Sequence, residues 1–116
     1  MSNQDSISYL KHIKDEIDYI NSVIDKNATK QDFIQNETLK RAVVRSLEII
    51  GEATKKINAE IKDKWVEVEW KNMAGMRDRL IHNYFGINYN IVWDVLITKL
   101  PSLKMQIDKI IIEEEE

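Results

Sequence analysis

The sequence predicts an all-α protein, an up-and-down bundle of four or five helices, and three observations carry that prediction. Its 116 residues include only 3 glycines and 1 proline, so few positions work against continuous helix. Hydrophobic residues make up 43% of the chain, enough for one core, and 1–116 is expected to form a single domain. Apolar residues recur at steps of three and four, and the breaks between these segments are short and polar, which favours antiparallel neighbours.

Leu10, Ile13, Ile17, Ile20 and Ile24 step by 3, 4, 3 and 4, an amphipathic helix over 6–26 whose narrow seam wants another helix against it. Asn27-Ala28-Thr29 interrupts it, and Thr29 is placed to cap a short following turn whose third residue, Asp32, completes a capping box. Leu39, Ala42, Val43, Ser46, Ile50, Ala53 and Ile57 form the inner face of a long second helix. A third spans 70–85, and Gly86 just beyond it tolerates the left-handed conformation of a helix end. Asn88 or Asn90 caps the next, over 91–99. Pro101 suits a first turn, so 102–112 is either a separate last helix or a kinked continuation.

Charge and composition exclude several function classes. Four of the negatives behind the net charge of -3 are the glutamates at 113–116, which leaves a body of +1. Like charges at a helix C-terminus oppose the macrodipole and each other, so this tail is expected to fray. A nearly neutral body does not advertise nucleic-acid binding, and any RNA contact must rest on a local patch. The absence of cysteine removes disulfide, thiolate and zinc-thiolate chemistry. No apolar run approaches the roughly 20 residues of a membrane span, and the first six residues are polar rather than signal-like, so a cytoplasmic protein is expected.

The candidate chemistry lies in GMRDRLIHNYFGI, residues 75–87, where Arg77, His82 and Tyr84 stand as R-x-x-x-x-H-x-Y with Asp78 and Arg79 between them. On a wheel of about 100° per residue, Trp70, Met73, Ala74, Leu80, Ile81 and Tyr84 share one face with Arg77 in its middle. A guanidinium there is costly unless it is paired or faces a wet cleft; it is either a structural ion pair or a functional group. His82 lies about 140° away, close to Asp78, and either caps carbonyls or transfers protons. One regular helix cannot aim both side chains at a single atom. A second copy of the helix across a twofold axis would let two chains share one groove.

These residues resemble the motif of the HepT-like toxins, within the HEPN ribonucleases. RSLEIIGEA at 45–53 and VWDVLITKLPSLKMQI at 92–107 are similar to that family too, and the likeness spans about 6–111. The resemblance implies a helical bundle that forms a homodimer through the motif-bearing helix, with the motif lining the cleft between copies. It implies the toxin of a toxin–antitoxin pair, an endoribonuclease in which Arg77 and His82 are catalytic. It also implies a partner, a minimal nucleotidyltransferase antitoxin of the MntA type, which neutralises the toxin by AMP transfer to Tyr84. The alternative is a homodimeric binding partner of such a nucleotidyltransferase with no nuclease activity.

Chemistry stands beside the resemblance. RNA supplies its own nucleophile, the 2′-hydroxyl, so cleavage needs a base and a cation for the charge that builds on phosphate. An imidazole, ordinarily titrating near 6.5, suits the first role and a planar guanidinium the second. Asp78 either orients His82 or forms only an i,i+4 pair with it, while Arg79, Arg45 and Tyr84 are supporting candidates around the substrate. No metal or cofactor is expected, because there is no H-E-x-x-H and the glycines are isolated; Gly75 is instead expected to let two backbones approach, either within the bundle or across the dimer. Arg41, Arg45, Glu48 and Glu52 form a stripe within roughly 60° on the second helix, away from its core face. That stripe is either solvated or lines a dimer or cleft, where Arg45 holds RNA backbone or a carboxylate partners Arg77. His12 is expected on the surface, and Trp65, Trp70 and Trp93 in the core.

Overall fold

The computed structural model describes residues 3–80 and 86–115, and the described residues form eight helices: α1 (Asn3–Val23), α2 (Lys30–Gln35), α3 (Glu37–Lys55), α4 (Ala59–Lys64), α5 (Trp70–Ala74), α6 (Met76–Leu80), α7 (Tyr89–Thr98) and α8 (Leu100–Glu115). The all-α class is as predicted, while the helix count exceeds four or five for three reasons: the turn after Thr29 is a helix, α2; the third helix is broken at Gly75; and α4 has no counterpart in the sequence prediction.

The seam of α1 behaves as its spacing dictates, with Leu10, Ile13, Ile17 and Ile20 buried between α3 and α8. The helix begins before Ser6 because that hydroxyl has a partner inside, accepting the Asn58 backbone N–H at 3.0 Å. It ends at Val23, ahead of the predicted limit, where the Asp25 carboxylate takes the Asn27 N–H at 2.8 Å and offers the backbone an alternative to helix. The capping box forms: Asp32 N–H donates to Thr29 Oγ1 at 3.1 Å and Thr29 N–H to Asp32 Oδ2 at 2.9 Å. Asn36 caps α3 through the Leu39 N–H, and Asn58 caps α4 through the Ile61 N–H.

Helix α3 buries more than its predicted stripe, because α1 covers one side and α5 and α6 another. Val44 and Leu47 join Val43, Ile50 and Ala53 in the core, while Leu39 is only half-buried. Lys40 is buried as well. Its ammonium meets Glu37 at 2.7 Å and lies 4.4 Å from the centre of the Tyr89 ring, beside the Phe33–Trp93 contact that joins α2 to α7. Trp65 is buried and Trp70 and Trp93 are half-buried, whereas His12 is exposed. Pro101 lies in the first turn of a separate α8, which joins α7 at Lys99.

Within the bundle, the close approach expected of Gly75 belongs to Gly51. A Cβ on Gly51 would sit 3.1 Å from the Met73 carbonyl oxygen, so α5 rests on bare α3 backbone there. Gly75 instead ends α5, with φ −88° and ψ 11° and its N–H returning to the Lys71 and Met73 carbonyls. Helix α8 continues through Glu115, past the predicted limit at 112, and Glu116 lies outside the described residues. Positive partners cancel the unfavourable charge: Lys64 meets Glu114 at 2.9 Å and Lys11 meets Glu115 at 2.9 Å. The Trp65 indole also donates to Glu114 at 3.0 Å, and these hydrogen bonds, Lys64 first, hold that carboxyl below its ordinary range. Among the described residues no helix is long and apolar enough to cross a membrane.

Candidate functional site

Helix α6 is short, and its seating decides where the motif points. Met73, Met76 and Leu80 are buried, with α5 and α6 packed on α3. That face is centred near Leu80, with Met76 on the side away from Arg77, whereas Trp70 and Ala74 are only half-buried. Arg77 follows Met76 by about 100° of helical turn, so it stands at the edge of the packed face and not in its middle as predicted. Its side chain is 60% exposed, and Nε lies 3.5 Å from Glu48 Oε2 on α3.

This pairing involves one carboxylate of the charged α3 stripe. Glu48 is the carboxylate that partners Arg77, and Arg45 is exposed one turn before it. An ion pair so open to water is worth roughly 0.2–1 kcal/mol, too little to explain it as a stability device. It does fix one side of a guanidinium whose remaining surface faces solvent, where its planar fork can take phosphate oxygens.

His82 and Tyr84 lie outside the described residues, as do Ile81 and Phe85. The structure shows what brackets them. The Asn88 N–H donates to the Leu80 carbonyl at 3.0 Å, which brings the residues on either side of 81–87 to hydrogen-bond distance. Asn88 also caps α7, its Oδ1 accepting the N–H groups of Asn90 and Ile91 at 3.1 and 3.3 Å. Gly86 adopts φ +85°, as its place after the motif predicted. One asparagine thereby ties the end of α6 to the start of α7, a positioning role its sequence context showed only as a cap.

The other candidates separate. Asp78 is exposed on α6. Arg79 lines a groove of about 190 Å³ between α5, α6, α7 and α8, together with Glu69, Asn72, Lys99 and Gln106, and Arg77 does not line it. Glu69 in that groove is held below the ordinary carboxylate range, first by the Asn72 amide at 2.6 Å, then by Lys99 at 3.0 Å, with a smaller contribution from Arg79. The structure thus brings Arg77, Glu48 and Arg45 to one side and puts Arg79 on another. Among the described residues no group of three or more histidine, aspartate or glutamate side chains converges to hold a metal.

Comparison with known proteins identifies a family for the chain. The family model described as Ribonuclease HepT-like matches residues 10–110. "Putative RNase TTE0752" of Caldanaerobacter subterraneus is 44% identical over 92% of this chain and 95% of its own length. "Putative RNase MJ0127" of Methanocaldococcus jannaschii is 44% identical over 88% of this chain and 80% of its own. "Probable ribonuclease HepT" of Thermococcus cleftensis is 38% identical over 88% of this chain and 92% of its own. No solved structure matches the chain. With the match running from α1 to α8 across both Glu48 and the Arg77 motif, the chain belongs to the HepT-like ribonuclease family.

Proposed function

We propose that this protein is a metal-independent endoribonuclease, the toxin of a toxin–antitoxin pair, whose site joins Arg77 and His82 in a cleft shared by two copies. The observation that carries the reading is Arg77: an exposed guanidinium held on one side by Glu48 at 3.5 Å, at the start of the motif. In the reaction, the His82 imidazole takes the proton of a ribose 2′-hydroxyl, and the 2′-oxygen attacks the adjacent phosphorus. The bond to the 5′-oxygen breaks, that oxygen leaves with a proton supplied by solvent, to which the imidazolium returns its own, and a 2′,3′-cyclic phosphate remains. Arg77 balances the charge that builds on the non-bridging oxygens.

Neutralisation follows from Tyr84. A minimal nucleotidyltransferase of the MntA type transfers AMP from ATP to the phenolic oxygen with loss of pyrophosphate, and the added phosphate places negative charge beside the guanidinium. The test is total RNA incubated in EDTA with the full chain, His82→Ala and Arg77→Ala. Cleavage by the parent, lost in both variants, is the expected result; equal cleavage by parent and His82→Ala overturns the mechanism. No cleavage by the parent points to a non-catalytic partner of the nucleotidyltransferase instead. Intact mass after co-expression with that enzyme should show one AMP on the parent and none on Tyr84→Phe.

A further inference from the structure

The exposed face of α3 carries charge in an order that matches its own reversal. Arg41, Arg45, Glu48 and Glu52 fall within about 60° of helical arc and span about 16 Å along the axis. Two cations lie toward the N-terminal half and two anions toward the other, and they are equally spaced about a point between Ser46 and Leu47. Among the described residues no ion pair engages Arg45, and the contact of Arg41 with Glu37 is long, 3.9 Å. A polyanion laid along this face meets Glu48 and Glu52, and a cationic partner meets the arginines. A surface with the opposite charge order complements it along its length, and the same helix running the other way has that order.

We infer that α3 pairs antiparallel with α3 of a second copy about a twofold axis between Ser46 and Leu47. Arg45 of each copy then faces Glu48 of the other, and Arg41 faces Glu52. This rests on the two-copy reading above and adds α3, beside the motif-bearing helix, to its interface. Glu48 belongs to both the joint and the candidate site, because it is the carboxylate that holds Arg77. Assembly divides Glu48 between the Arg77 of its own chain and the Arg45 of the other, and loosens its hold on the guanidinium.

Arg41 and Glu52 test the pairing without touching Arg77, since their partners within the chain are Glu37 and Lys55. Sedimentation equilibrium of the full chain at low salt is run on the parent, R41E, E52R and R41E/E52R, with circular dichroism to verify folding. Each single reversal converts two attractive contacts into repulsive ones and is expected to raise the dimer dissociation constant at least about tenfold. The double reversal restores it, and added salt weakens the parent dimer. A dimer indifferent to the single reversals, or one the double variant fails to restore, overturns the α3 pairing and leaves the two-copy reading standing. A parent monomeric at every concentration overturns both.

Discussion

Replacing Gly51 by alanine sets two effects of similar size against each other, and the structure decides the sign. Glycine inside a helix is disfavoured relative to alanine by about 1 kcal/mol, so an exposed site would be stabilised by that much. Here the new Cβ would stand 3.1 Å from the Met73 carbonyl oxygen, 3.6 Å from that of Ala74 and 3.7 Å from Met76 Cβ, where ordinary contact begins at 3.4 Å. The nearest atom is backbone that accepts the Gly75 N–H, so it cannot swing aside as a side-chain tip would. Helix α5 must retreat by about 0.3 Å with the buried Met73 and Met76, and overpacking of this kind costs about 1–3 kcal/mol. The expected net loss is about 1 kcal/mol, a fall of about 4 °C in Tm by thermal denaturation. Gly51→Val should lose more. A rise in Tm for Gly51→Ala would mean that propensity dominates and that α5 is not seated on bare α3 backbone.

Three further outcomes follow from local geometry. Gly86→Ala should cost about 1 kcal/mol by thermal denaturation, because φ is +85° although the space around it is open; Gly86→Asn should cost clearly less, since asparagine tolerates that region. Phe33→Ala should cost about 3–5 kcal/mol in urea unfolding, because the ring is fully buried and joins α2 to Trp93 of α7. Glu114, held below its ordinary 4.5 by Lys64 and Trp65, contributes stability above that pH and loses it as pH falls through the lowered value. Melting temperatures of the parent and Glu114→Gln should therefore differ at neutral pH and converge in acid.

Features encoded locally were the legible ones. The seam from Leu10 to Ile20, the Thr29–Asp32 capping box, the asparagine before α7 and the left-handed Gly86 each depend on residues within a turn or two of one another. What escaped is set by distant partners. Glu114 and Glu115 read as part of a repelling run until Lys64, Trp65 and Lys11 meet them, and those residues stand about 50 or more positions earlier in the chain. Lys40 lies on a face no apolar count would bury, and it is inside because Glu37 and the Tyr89 ring receive it. Helix α4 is six residues long, too short for a periodic signal, and only its Asn58 cap marks it.

The candidate site shows the same division within one residue. The motif itself could be read from its residues and their resemblance to a known family, but the position of Arg77 could not, because the helical wheel has Trp70 and Ala74 as core and leaves Met76 out. Burial of Met76 moves the centre of the packed face, and Arg77 passes to its rim, next to α3. A guanidinium on the buried face would have needed a desolvated partner, and breaking such a pair would cost several kcal/mol. At the rim it needs only Glu48, so its loss should barely change folding while changing what the guanidinium can reach. Stability and activity are therefore separable at this position: Arg77→Ala should melt within about 1 kcal/mol of the parent and still fail to cleave RNA. A large loss of stability in that variant would return Arg77 to the core and remove it from the reaction.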